Sequence, residues 1–148
     1  MIDDFRDLLR EFVTQHVIFL VVGAHALAVH GIPRATGDLD VWVKPTPENA
    51  SRVVAALASF GAPLEDLGIA MDDFIRPDVV AQLGLPPYRI DILTSISGVD
   101  FESAWQDRVE ANVAGVEVPV LGRASFQMNK RASGRPKDLA DLSALGEE

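Results

Sequence analysis

Two carboxylates lie one residue apart in an otherwise apolar stretch, Asp38 and Asp40 in the segment DLDVWV. The apolar residues predict a β-strand over residues 38–43, and residues i and i+2 of a strand point to the same face. The two carboxylates are then ~5–7 Å apart and repel each other among apolar neighbours. A divalent cation relieves such repulsion, because it takes carboxylate oxygens as ligands. Asp38 and Asp40 are therefore candidate metal ligands.

A third carboxylate, Asp91, occupies a second predicted strand over residues 88–93, in the segment RIDIL. A single acid in a strand is usually an edge or surface residue, and that interpretation stays open for Asp91 alone. Strand–helix–strand connections bring successive strands together in one sheet, so Asp91 can join Asp38 and Asp40. Three such carboxylates can hold two Mg²⁺ ions about 3.5–4 Å apart, which clamp the attacking and leaving oxygens of a phosphoryl displacement.

Gly23 separates a predicted buried strand over residues 17–22 from a predicted helix over residues 24–30. The first N–H groups of a helix have no partner within it, so they can bind an anion beyond the end of the strand. Glycine lets a phosphate approach the backbone closely. The alternative is a glycine that only forms the turn, but the distance from Gly23 to Asp38 fits one helix and a return to an adjacent strand.

Composition limits the classes of function. The 148 residues predict a single domain over residues 1–148, and the absence of cysteine excludes disulfides, thiolate zinc sites and thiol catalysis. A net charge of −9 argues against a sequence-independent nucleic-acid binder. All charged residues within 123–137 are nevertheless basic, which suits a small polyanion such as a nucleoside triphosphate. A solvated helix face is the alternative for this segment.

The chain has no apolar run of about 18 residues that would predict a membrane span. Its first residues, MIDDFRDLLRE, are acidic where a secretory signal is positively charged. We therefore expect a cytoplasmic protein with no membrane contact.

Periodicity and breakers predict an α/β fold in which helices flank a mixed sheet, closed by two C-terminal helices. Residues 63–78 give no clear pattern beyond one short helical turn near Asp72 or Asp73. The predicted strands cover residues 17–22, 38–43, 79–83, 88–93, 108–113 and 116–121. The predicted helices cover residues 3–15, 24–30, 47–60, 100–106, 124–132 and 136–145.

Three features together resemble the polymerase-β-type nucleotidyltransferase superfamily. They are Gly23-Ala24, the segment RATGDLD over residues 34–40, and Asp91 on a later strand. The basic segment NKRASGRPKDLADL over residues 129–142 is similar to the tails of small bacterial nucleotidyltransferases, including toxin-like and abortive-infection members. The resemblance implies a nucleotidyltransferase fold and transfer of a nucleoside monophosphate from an NTP such as ATP.

The resemblance also implies roles for individual residues. Asp38, Asp40 and Asp91 would be the catalytic and metal-binding residues for two Mg²⁺ or Mn²⁺ ions, and Asp91 would help to deprotonate the acceptor hydroxyl. Asp138 would orient a cation, or it would only begin the last helix. The implied nucleotide-binding residues are Gly23, Ala24, His25, Arg34, Thr36, Lys130 and Lys137. The implied partners are the NTP, a tRNA or protein acceptor and an antitoxin.

Two residues depart from the family pattern. Ala24 and His25 stand where the family usually has Gly or Ser followed by a small residue. His25 could donate a hydrogen bond to a phosphate, or it could be structural. Two hypotheses follow: a nucleotidyltransferase, or a non-catalytic nucleotide-binding or interaction protein that keeps the fold.

Overall fold

The computed structural model describes residues 2–33, 37–85 and 88–146. Six strands form one mixed sheet in the order β3-β4-β2-β1-β6-β5. The strands are β1 (Phe19–Val22), β2 (Asp38–Val43), β3 (Val80–Leu85), β4 (Tyr88–Leu93), β5 (Val109–Val113) and β6 (Val116–Val120). The helices are α1 (Ile2–Thr14), α2 (Gly23–Val29), α3 (Pro47–Phe60), α4 (Leu64–Leu67), α5 (Phe101–Asp107), α6 (Arg123–Ser133) and α7 (Pro136–Ala144), with a 3₁₀ turn at Met71–Phe74.

The predicted α/β architecture and mixed sheet are confirmed. Two pairs of consecutive strands, β3–β4 and β5–β6, are antiparallel. All four residues of β1 are buried. Because successive strand residues point to opposite faces, β1 must be covered on both sides of the sheet. One feature differs from an ordinary strand–helix–strand unit: β1 and β2 are neighbours and antiparallel although α2 connects them, whereas β2 and β4 are parallel.

The first strand begins two residues later than the apolar run predicts. His16 has a positive φ of 59°, and the Val17 N–H donates to the Phe12 carbonyl across 3.0 Å, which closes the end of α1. Val17 therefore belongs to the helix end. Such a helix end usually has glycine at the left-handed position, so a histidine there gave no signal. Helix α4, in the segment without a clear pattern, was not predicted.

The core is formed by the apolar face of α1 and the inner strands. The spacing that predicts α1 is confirmed by the burial of Phe5, Leu8, Leu9 and Phe12. Trp42 on β2 is also buried, and its ring packs edge-on against Phe101 at 4.9 Å between ring centroids. No helix within the described ranges is long and apolar enough to cross a membrane.

Asn49 fastens the sheet to α3. Its side chain is 1% exposed, accepts from the Ile18 N–H at 2.7 Å and donates to the Ile18 and Lys44 carbonyls at 2.9 and 3.0 Å. One buried amide thus holds the start of β1, the end of β2 and the first turn of α3.

We predict that Asn49→Ala lowers the free energy of unfolding by about 1–3 kcal/mol, because the Ile18 N–H loses its hydrogen-bond partner in a part-buried place. Urea unfolding followed by circular dichroism measures this. Asn112→Ala is the matched control, since Asn112 is exposed and its side chain accepts one turn hydrogen bond from the Gly115 N–H; equal losses in the two variants would contradict the prediction.

Candidate functional site

Strand register brings the three predicted carboxylates together. In the parallel pair β2–β4, Asp38 lies opposite Arg89 and Asp40 lies opposite Asp91. Since opposed residues of neighbouring strands share a face, Asp38, Asp40, Arg89 and Asp91 form a two-by-two arrangement of side chains on one face. The register thus puts Asp91 on the same face as the acid pair, directly opposite Asp40.

Asp40 is the most perturbed member of this group. Burial, the nearby charges of Asp91 and Asp38, and a hydrogen bond with Asp91 raise the pKa of Asp40 to about 6, while the charge of Lys130 opposes the shift. An acid whose pKa rises in this way lies among negative charges that the surrounding chain neutralises only in part. Asp40 and Asp91 thus form a coupled carboxyl pair beside Asp38.

Arg89 brings a positive charge into contact with Asp91 and Asp38, and sequence reasoning did not select it. Its Nε donates to Asp91 Oδ1 at 3.1 Å, and its Nη2 lies 3.4 Å from Asp91 Oδ2 and 3.3 Å from Asp38 Oδ2. The hydrogen bond and charge of Asp91, followed by the charge of Asp38, raise the pKa of Arg89 above its ordinary value. The signal was present, because Arg89 precedes Asp91 by two residues and must share its face.

The donor set suits a divalent cation chemically, since it consists of hard carboxylate oxygens with unbalanced negative charge. Within the described ranges, however, no group of three or more His, Cys, Asp or Glu side chains is drawn together as a metal site. The carboxylates of Asp38 and Asp91 are instead bridged by Arg89. Asp38, Asp40 and Asp91 could hold a metal ion after a local rearrangement of this ion pair.

Gly23 follows Val22, which lies opposite Asp40 in the β1–β2 pair. Gly23 has a φ of +69°, and a Cβ added there would overlap Asp40 Oδ2 and lie 3.1 Å from Asp40 Cγ. Glycine is therefore required at this position for two reasons, the backbone conformation and the space that the Asp40 carboxylate fills. The turn and the acid pair form one sterically linked unit.

Ala24 and His25 lie in α2 but are not among the described residues that line the cleft beside this unit. The His25 ring packs edge-on against Phe5 at 5.6 Å between centroids, and its Nε2 is buried with no hydrogen-bond partner in the described part of the chain. Burial lowers the pKa of His25, with a hydrogen bond to the Asp38 backbone opposing the shift. This placement fits a structural role that supports the start of β2.

Lys130 reaches the site from α6. Its side chain is 11% exposed, and its Nζ lies 3.3 Å from Asp138 Oδ1, 4.0 Å from Asp141 Oδ2 and 5.2 Å from the centre of the Phe126 ring. A buried ammonium needs such partners, because an unpaired charge is costly to bury. The acids of α7 therefore hold the lysine at the edge of the cleft.

Asp138 serves both of the roles left open by the sequence. It accepts from the Arg135 backbone N–H at 3.3 Å at the start of α7, and it also binds Lys130. Burial alone would raise the pKa of Asp138, but the hydrogen bonds from Arg135 and Lys130 lower it below its ordinary value.

A cleft of about 420 Å³ connects these elements, a volume within the range of small-molecule sites. Lys137 is exposed and is not among the described residues lining the cleft, whereas Arg135 is. Arg34 and Thr36 lie outside the described residues. The lining residues are Val22, Gly23, Asp40, Asp78, Val79, Val80, Leu93, Ser95, Ile96, Ser97, Asn129, Lys130, Ser133 and Arg135.

The uncharged polar side chains that line the cleft were not predicted. Ser95, Ser97, Asn129 and Ser133 come from a loop after β4 and from α6. Isolated serines and asparagines in loops and helix ends are common for local reasons, so only the fold shows that they converge.

No known family model matches this chain, and no curated protein matches its sequence. Its fold is similar to a solved structure from Thermotoga maritima described as a "putative nucleotidyltransferase", with a TM-score of 0.60 and 16% sequence identity over 97% of this chain and 91% of the other. The chain therefore has a nucleotidyltransferase-like fold, which confirms that part of the sequence prediction.

We predict that Gly23→Ala destabilises the protein by more than the ~1 kcal/mol expected of positive φ alone, because the new methyl group displaces Asp40. Gly68→Ala is the matched control: Gly68 also has a φ of +69°, and a Cβ there meets none of the described residues within 4 Å. Thermal unfolding compares the two variants, and equal destabilisation would contradict the contact with Asp40.

We predict that Asp40→Asn gains stability relative to the wild type as pH rises. The raised pKa means that protonated Asp40 stabilises the folded state below pH ~4, and that this contribution is lost as pH rises through about 6. The free energy of unfolding of Asp40→Asn, relative to that of the wild type, should increase by about 2–3 kcal/mol between pH 4 and 7. Urea unfolding in EDTA measures this, with Asp72→Asn as an exposed control; a difference independent of pH would contradict the prediction.

Proposed function

We propose that this chain is a Mg²⁺-dependent nucleotidyltransferase that moves a nucleoside monophosphate from an NTP to an acceptor hydroxyl. The observation that supports it best is the register of β2 against β4, in which Asp38, Asp40 and Asp91 share one face of the sheet. Asp40 also lines the cleft together with Gly23 and Lys130. The nucleotidyltransferase-like fold supports the same reaction class.

In this proposal Asp38, Asp40 and Asp91 hold the divalent ions, which, when bound, supply positive charge to the phosphate oxygens. The acceptor oxygen forms a bond to the α-phosphorus, and the bond from that phosphorus to the pyrophosphate oxygen breaks. The proton of the acceptor hydroxyl passes to Asp91, and pyrophosphate carries away the bonding electrons.

The remaining cleft residues position the triphosphate. The ammonium of Lys130, fixed by Asp138 and Asp141, offsets charge on the phosphates. Arg135 lines the same cleft and adds a second positive charge. Gly23 leaves the backbone open to close approach by a phosphate, and the small polar side chains opposite offer hydrogen bonds.

A second function is favoured by one observation. Arg89 already contacts both Asp38 and Asp91, as it would in a protein that binds a nucleotide without turning it over. Calorimetric titration with NTP, with and without Mg²⁺, tests this alternative. NTP binding without label transfer to tRNA, protein or a small hydroxyl acceptor would favour it.

We predict that purified protein with Mg²⁺ or Mn²⁺ transfers label from an α-labelled NTP to tRNA, protein or a small hydroxyl acceptor. Asp38→Ala should lower the rate at least about a thousandfold, which corresponds to about 4 kcal/mol of transition-state stabilisation, without unfolding the chain. Asp72→Asn, a change at an exposed acid outside the cleft, should leave the rate unchanged. Absence of transfer and of pyrophosphate release with all four NTPs would refute the proposed reaction.

A further inference from the structure

Arg89 lies where a cation shared by Asp38 and Asp91 would lie. One nitrogen, Nη2, is 3.3 Å from Asp38 Oδ2 and 3.4 Å from Asp91 Oδ2, while Nε contacts the other oxygen of Asp91 at 3.1 Å. The guanidinium thus engages both oxygens of Asp91 and bridges to Asp38. A Mg²⁺ ion bound by the same two carboxylates needs those oxygens at ~2.1 Å, a distance that excludes a nitrogen between them.

Charge reinforces this competition without excluding the ion from the group, because three carboxylates and one guanidinium keep a net negative charge. The two-by-two arrangement holds three acids and one base, and Arg89 supplies its positive charge. A divalent ion added beside a guanidinium on the same carboxylates would meet cation–cation repulsion over a few ångströms. The ion and the Arg89 side chain therefore compete for the same oxygens.

The exposure of the Arg89 side chain allows it to leave the ion pair. The Arg89 side chain is 30% exposed, whereas that of Asp91 is 12% exposed. Arg89 can therefore leave into solvent while the carboxylates stay in place on their strands. Release of the guanidinium alone would leave Asp91, whose side chain is largely buried, without this partner, so the exchange is favourable only when a divalent ion takes the place of Arg89.

We propose that Arg89 is a resident cation of the Asp38–Asp91 pair and that divalent metal binds by displacing it, so that Arg89 helps to set the metal affinity of the site. The inference rests on the metal dependence in the proposed function. It assigns to Arg89 a positioning role: in the metal-free protein it holds the two carboxylates together and prevents tight metal binding before substrate arrives.

Mn²⁺ binding without nucleotide tests the proposal directly. Free Mn²⁺ is measured by electron paramagnetic resonance for the wild type, Arg89→Gln, Arg89→Lys and Arg52→Gln at one pH and ionic strength. Arg52→Gln is the matched control for loss of one positive charge, because Arg52 pairs with Glu48 on α3 at 3.1 Å. We expect at least a tenfold lower dissociation constant for Arg89→Gln, a smaller decrease for Arg89→Lys, and less than a twofold change for Arg52→Gln.

An unchanged or weaker affinity in both Arg89 variants, or an equal gain in Arg52→Gln, overturns the proposal. A purely structural Arg89 would lower the melting temperature on substitution and leave Mn²⁺ affinity unimproved. A second measurement uses the wild type, so it does not depend on the folding of any variant. The Arg89 Nε–H resonance should shift during a Mg²⁺ titration, and a resonance that stays fixed while the site saturates also overturns the proposal.

The two proposals fail in different ways. Tighter Mn²⁺ binding by Arg89→Gln without label transfer by the wild type supports the displacement of Arg89 and refutes catalysis. Label transfer by the wild type with unaltered Mn²⁺ affinity in the Arg89 variants supports catalysis and refutes the displacement.

Discussion

The pairing of β2 with β4 places negative charge where the chain itself neutralises it only in part, and the arrangement of the site depends on this. Asp40 and Asp91 are opposed across two parallel strands, and Asp38 follows on the same face. Hydrogen bonds between strands fix this register, so the carboxylates cannot separate without loss of the sheet. A proton, Arg89, Lys130 or a bound cation can each offset their repulsion. The first three are visible in the raised pKa of Asp40 and in the contacts of Arg89.

The surrounding elements serve this charged group in different ways. Gly23 gives the Asp40 carboxylate room at the end of β1, and His25 supports the backbone at Asp38. Asn49 ties the far ends of β1 and β2 to α3. Lys130 adds a positive charge from the opposite wall of the cleft. The site is thus positioned by strands on one side and by a helix pair on the other.

Much of the fold and of the acidic group in the site was predictable from the sequence, because the signals were local. The DLD segment, the apolar strands and the glycine turn each carry their pattern within a few residues, and most predicted elements agree with the fold within two residues at each end. What could not be predicted depends on register or on unusual ends. The sequence shows that Arg89 shares a face with Asp91, but its contact with Asp38 depends on the register of β2 against β4. The exposed Lys137 could not be told from the cleft-lining Arg135 by charge. His16 ended α1 in a conformation for which a histidine gives no signal.

Helix α7 contributes none of the described residues that line the cleft, yet its Asp138 and Asp141 hold the ammonium of Lys130. The position of that charge is consequently linked to the docking of α7 on α6. Linkage is reciprocal: a change that the docking of α7 makes to the affinity of Lys130 for an anion is matched by an equal effect of the bound anion on the docking of α7. The last helix is therefore energetically part of a site that it does not touch.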